Sequence, residues 1–162
     1  MSCTIEDLGR RGTTIVTVFV DTNVLVYARD RREADKQRRA AKWMGSLWET
    51  GLGRLSCQVI QEYYVTLTSK LDPPRSTEEA REDVTALGAW NPVGIDQRTI
   101  EGAWDVQDRY GYSWWDSLIV AAALQSGCRY LLSEDLQTGQ VIDTMTIISP
   151  FAKEPEEVLP GL

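Results

Sequence analysis

The sequence predicts an α/β fold, a central and mainly parallel sheet flanked by helices. Two observations predict it. Short apolar or β-branched runs are separated by longer stretches with helical periodicity. No Asn-Gly hairpin signal joins the runs, so most crossovers are helical, as a parallel sheet covered on both faces requires. A length of 162 residues with 43% apolar and 25% charged residues describes one ordinary globular domain rather than a disordered chain. Such a chain is long enough to bury about two-thirds of its unfolded surface.

The elements follow in order. Residues 1–15 mix Gly9, Arg10, Arg11, Gly12 and Thr13 without either period and are expected to be a flexible leader. Ile15 to Val20 is a β-branched strand bounded by Asp21. Helical patterns occupy Glu33 to Thr50, Gln58 to Lys70, Ser76 to Leu87, Asp96 to Tyr110 and Trp114 to Ser126; Gly51, Gly88, Gly111 and Gly127 stand at or near C-terminal stops. Tyr130 to Leu132 and Thr146 to Ile148 are further short strands. The end, residues 152–162, carries Pro155, Pro160, Gly161 and three glutamates and is expected to be a flexible, exposed tail, which leaves 16–151 as the folded domain.

Composition narrows the chemistry. The formal charge of -7 argues against binding nucleic acid through net charge alone, because phosphate neutralisation needs excess Lys and Arg. There is no histidine, and Cys3, Cys57 and Cys128 are odd in number and widely spaced. Neither a disulfide framework nor a thiolate metal knuckle is indicated, and a reduced, cytoplasmic setting fits. No apolar run approaches the length of a membrane span or a secretory signal. Any metal site would have to be built from oxygen, which suits Mg²⁺ or Mn²⁺ rather than zinc or copper.

Four acids stand where elements begin, turn or end: Asp21 and Asp135 after strands, Glu62 in the second turn of a helix opened by Ser56, and Asp116 in the first turn of a helix opened by Ser113. Parallel sheets place reactive groups beyond the carboxyl ends of their strands, so all four can converge on one rim. Each also has a structural role to offer. Asp21 suits the N-cap of a short helix from Asn23 to Ala28. Ser113 to Asp116 matches a capping box. Glu62 suits a solvated helix position, and Asp135 an Asx-type turn.

The segments Val18-Phe-Val-Asp21-Thr-Asn-Val, Gln58-Val-Ile-Gln-Glu62-Tyr-Tyr, Tyr112-Ser-Trp-Trp-Asp116-Ser-Leu and Leu131-Leu-Ser133-Glu-Asp135-Leu, in this order, resemble the motifs of PIN domains. The likeness runs from about Val16 to Phe151 and, within the family, is closest to VapC-type toxins of type II toxin–antitoxin systems, small ribonucleases. It implies a PIN-like three-layer sandwich, with Asp21, Glu62, Asp116 and Asp135 as the catalytic acids that bind Mg²⁺ or Mn²⁺, Ser133 as the accompanying hydroxyl, and Asn23 as the polar residue that orients a carboxylate or bound water. It further implies cleavage of RNA, such as tRNA or rRNA, to a 5′-phosphate and a 3′-hydroxyl, a homodimer, and a VapB-type antitoxin partner. Ser149-Pro150-Phe151 departs from the family's frequent Asn-Pro-Phe ending.

Four clustered carboxylates repel one another, so at least one should hold its proton more tightly than a free side chain does. A divalent cation relieves that repulsion and activates water for in-line attack on a phosphodiester. Arg29, Arg31, Arg32, Lys36, Arg38, Arg39 and Lys42 form a basic strip that would contact RNA phosphates, unless Asp30, Glu33 and Asp35 neutralise it as a solvated helix face. Six tryptophans suit packing or an interface; Trp114 and Trp115, directly before Asp116, either fix their helix or stack on a base. The rivals are a catalytically silent PIN-like module that binds RNA or protein, a housekeeping PIN nuclease without antitoxin, and a haloacid-dehalogenase-type phosphohydrolase. The last wants a second Asp where this chain has Asn23.

Overall fold

Val18–Val20 (β1) is fully buried, and Phe19 and Val20 lie opposite Leu131 and Leu132 of Tyr130–Leu132 (β3) in parallel register. This computed structural model describes residues 14–162, so the expected leader falls almost wholly outside the described residues. Five strands form one sheet in the order β2-β1-β3-β5-β4, with β2 at Gly53–Arg54, β4 at Val141–Ile142 and β5 at Met145–Ile148. Every pairing is parallel except that of β4 with β5. From β1 the chain first adds β2 on one side and later β3 on the other, which makes the carboxyl ends of β1 and β3 the point where strand order reverses.

The helices are α1 (Thr22–Tyr27), α2 (Ala34–Thr50), α3 (Cys57–Val65), α4 (Thr77–Leu87), α5 (Gln97–Tyr110) and α6 (Trp114–Gln125). The single helix expected over Gln58 to Lys70 ends its α-helical part at Val65 and continues as one wider π-type turn, Thr66–Lys70. Helix α6 is buried from Ser117 to Ala123 and packs closely on α5, where a Cβ at Gly102 would lie 3.5 Å from that of Ala121. An apolar helix buried all round can hold its first turn rigidly, and that turn carries Asp116.

Two strands escape the sequence patterns. β2 is two residues long, and Gly53 is required there because a Cβ would meet the Trp90 ring at 2.4 Å. β4 is equally short and turns back through Asp143, at φ 52°, to pair with β5.

The expectation of an exposed tail is corrected as far as Leu159. Pro155 and Leu159 are buried, Trp43 Nε1 donates to the Lys153 carbonyl at 2.9 Å, and Lys42 pairs with Glu154 and Glu156. The proline and glutamates that signal a loose end by composition instead form a 3₁₀ turn, Pro155–Glu157, that straps α2.

Candidate functional site

The β1–β3 register assembles the first half of the site. With Val20 opposite Leu132, the next residues, Asp21 and Ser133, fall side by side, and the Asp21 amide donates to the Leu132 carbonyl at 3.0 Å. Ser133 Oγ donates to Asp21 Oδ2 at 2.8 Å while the Thr22 amide donates to Asp21 Oδ1 at 2.7 Å. Asp21 is therefore both the N-cap of α1 and a groove residue; the two roles do not compete. Asn23 joins the strand ends: its Nδ2 lies 3.2 Å from Asp21 Oδ2, Ser133 Oγ and Asp135 Oδ2 alike, and its Oδ1 accepts from the Glu134 amide at 3.1 Å. The Asp135 amide in turn donates to Ser133 Oγ, so Ser133, and not Asp135, supplies the side chain that closes this turn.

Helices supply the other half. Glu62 accepts from Thr22 Oγ1 and from Gln58 Nε2, each at 2.9 Å, and is no free solvated position. At α6 the Asp116 amide donates to Ser113 Oγ, but the return bond of a capping box is not formed; among the described residues nothing donates to the Asp116 carboxylate. It faces the groove instead. Asp21, Asn23, Glu62, Asp116 and Asp135 all line one open groove of about 770 Å³.

Burial pushes the Asp21 carboxyl up to about 6, against the opposing hydrogen bonds from Ser133 and the Thr22 amide; the negative charges of Asp135 and Asp116 push the same way more weakly. The proton is held more tightly chiefly because water is excluded, and only secondarily through the repulsion that the sequence led us to expect.

Among the described residues no three His, Cys, Asp or Glu side chains already converge into a cage for a metal ion. The oxygens have instead turned to nearby donors, Asp21 to Ser133 and Thr22, Glu62 to Thr22 and Gln58. As a donor set they still fit a hard cation: all are carboxylate oxygens, one is buried at high cost to its charge, and Mg²⁺ takes only one or two carboxylates directly and keeps several waters.

The basic strip is largely spent on other partners. Arg29 pairs with Asp83 beside a separate cavity lined by Leu25, Met44, Trp48 and Tyr63. Lys36 donates to Glu134 at 2.7 Å and lies over the rings of Tyr27 and Phe151, Arg38 and Arg39 pair with Asp35, and Arg39 also donates to the Phe151 carbonyl. Arg32 does line the groove, although its guanidinium is held by Asp30; Arg31 is exposed and does not line it. Sequence reasoning missed Lys70, an exposed cation at the groove, and Thr22 and Gln58, the donors to Glu62. Gln58 had a signal, since it precedes Glu62 by one helical turn. The tryptophan pair is divided: Trp114 packs against Ala103, Leu118 and Ala121, whereas Trp115 is 64% exposed and lines the groove.

Among solved structures, the fold is similar to a toxin–antitoxin complex from Klebsiella pneumoniae, with a TM-score of 0.58 and 18% identity over 83% of this chain and 98% of that one. VapBC2 from Rickettsia felis, bound to a DNA fragment from its promoter, gives 0.55 and 11% over the same shares. VapC20 of Mycobacterium tuberculosis, described as a toxin that cleaves the sarcin–ricin loop, gives 0.50 and 19% over 71% of this chain and 87% of that one. At these identities the likeness is one of fold. A search of curated protein sequences gives no match. The profile of the PIN domain matches residues 18–142, most of the chain and every element from β1 to β4, and the protein belongs to the PIN domain family.

Proposed function

We propose that this protein is a metal-dependent endoribonuclease and the toxin of a VapBC-type toxin–antitoxin pair. The observation that carries the reading is that four carboxylates from four separate elements line one groove, and none of them has a cationic partner among the described residues. A bound Mg²⁺ or Mn²⁺ would supply a more acidic water and offset charge on the scissile phosphodiester. Asp116 and Asp135, whose charges reach the buried Asp21, are with it the carboxylates to hold the ion, and Glu62 lines the same groove from α3. Ser133 and Asn23 fix the Asp21 and Asp135 side chains through the hydrogen bonds above. Trp115 offers an exposed ring beside the acids on which a base of single-stranded RNA can stack, and Arg32 and Lys70 lie along the groove for phosphates.

Two of the similar structures are toxin–antitoxin complexes, which supports a VapB-type antitoxin partner; a homodimeric toxin in the cytoplasm completes the proposal. No helix among the described residues is long and apolar enough to cross a membrane. Cleavage of tRNA and rRNA fragments, with and without chelator, tests the activity in the intact protein and in Asp21→Asn and Asp116→Asn. The expected outcome is cleavage by the intact protein alone, abolished by chelator, with all three proteins folded. Equal activity in the variants overturns the reading. A short neighbouring gene for a DNA-binding protein, whose product copurifies with this chain, would mark the toxin and exclude a housekeeping nuclease.

A further inference from the structure

We propose that Gln58 is a positioning residue: a buried amide that ties Glu62 on α3 to the first turn of α6 and so sets how Glu62 faces Asp116. The inference rests on the nuclease reading above, because the pose of Glu62 matters there as part of a cation site.

Gln58 is 6% exposed. Its Nε2 donates to Glu62 Oε1 at 2.9 Å and to the Trp115 carbonyl at 3.2 Å. An amide nitrogen has two hydrogens to give, and both are used in the groove wall. Its Oε1 is buried with no partner. Reversing the amide would set Oε1 against a carboxylate and a carbonyl, three acceptors with no hydrogen between them, so the neighbours fix its orientation. A buried amide with an unsatisfied acceptor stabilises a helix poorly, and an apolar side chain of equal length would remove that defect. What an apolar side chain cannot do is join the Glu62 carboxylate to the backbone of the residue directly before Asp116.

Thr22 completes the arrangement from the other side. Its Oγ1 donates to Glu62 Oε2 at 2.9 Å, and it directly follows Asp21. Glu62 thus receives one hydrogen bond on each oxygen, one from the α6 side and one from the β1 end. Groups that hold a ligand from behind in this way tune metal affinity by about 10- to 100-fold in other sites.

The test measures Mn²⁺ binding by titration calorimetry in the full chain, with the melting temperature of the metal-free protein alongside. Gln58→Met keeps length and removes the donor; Gln58→Asn keeps an amide but withdraws it by one methylene, and carries the test if the first variant does not fold. Both variants should bind Mn²⁺ about 10-fold or more weakly while the metal-free melting temperature stays near that of the unsubstituted protein. In a Glu62→Gln background, Gln58→Met should weaken Mn²⁺ binding no further, because the effect passes through the carboxylate. Unchanged affinity in both variants, or an undiminished effect when Glu62 is replaced, overturns the assignment and leaves the nuclease reading standing. Absence of Mn²⁺ binding by the unsubstituted protein overturns both.

Discussion

The groove and the outer face of α2 treat acidic side chains in opposite ways. On and around α2 the acids have cations: Asp35 has Arg38 and Arg39, Glu134 has Lys36, and Glu154 and Glu156 share Lys42. In the groove Asp21, Glu62, Asp116 and Asp135 have only hydrogen-bond donors or, for the Asp116 side chain, not even these among the described residues. Surface pairs of the first kind contribute little to stability and are interchangeable. Uncompensated charge of the second kind opposes folding, most of all at the buried Asp21. The difference teaches where a missing positive charge belongs: four of the uncompensated negative charges of this chain line the groove, where a cation can offset them before the polyanion of the proposed function approaches.

The contrast can be broken most severely at Asp116. Asp116→Asn should lower the initial cleavage rate by about 10³-fold or more, whereas Asp35→Asn on α2 should leave it within about twofold. Comparable losses in the two would erase the distinction.

Next comes pH. The folded Asp21 carboxyl is raised from 3.8 to about 6, so the fold favours the protonated acid. Stability from this group is full below about pH 4 and is lost as pH rises toward 6, by about 3 kcal/mol at about 1.36 kcal/mol per pH unit. Asp30, held below the usual carboxylate range by Arg32, and Glu134, where burial is outweighed by Lys36 and Tyr27 so that it too is lowered, slope the other way, so the decisive quantity is the difference between the intact protein and Asp21→Asn. Urea unfolding in chelator at pH 4.5 and 7.5 should show Asp21→Asn gaining stability relative to the intact protein as pH rises. Parallel pH profiles would contradict a buried, proton-holding Asp21.

A cation should then reverse that penalty at neutral pH. At a hundredfold excess over its dissociation constant, Mn²⁺ should add about 2.7 kcal/mol, read as a melting temperature several degrees higher; Asp116→Asn should shrink the shift. The smallest effect sharpens the comparison from the paired side: Asp35→Asn should move the melting temperature by less than about 2 °C, since its partners Arg38 and Arg39 are exposed or partly so.

Much of this was legible in the sequence, for local reasons. β1 and β3 announce themselves as apolar runs, and the helices by period and by caps such as Ser56, Ser76, Asp96 and Ser113. β2 and β4 have two residues each, too few to show any period, and Gly53 is set by the distant Trp90 ring. The tail misled because composition reports polarity and not the packing of Pro155, Val158 and Leu159 against the body of the fold. At the site, the acids could be named from where they fall in the chain, but their hydrogen bonds could not. Lys36 appears in the sequence as one more cation on a basic helix, and only the folded chain places it beside Glu134 and over the Tyr27 and Phe151 rings. Thr22 and Gln58 are ordinary polar residues until β1, α3 and α6 are brought together.

The pairing of Val20 with Leu132 has one further consequence. Strand side chains alternate faces, so moving β3 by one residue against β1 would exchange the two buried faces that Leu131 and Leu132 occupy and carry Ser133 away from Asp21 in the same motion. Hydrophobic alignment and chemical alignment are one variable here. If the proposed cleavage is this chain's activity, a mispaired molecule would be inert rather than sluggish, and the specific activity of a preparation would count its correctly aligned chains.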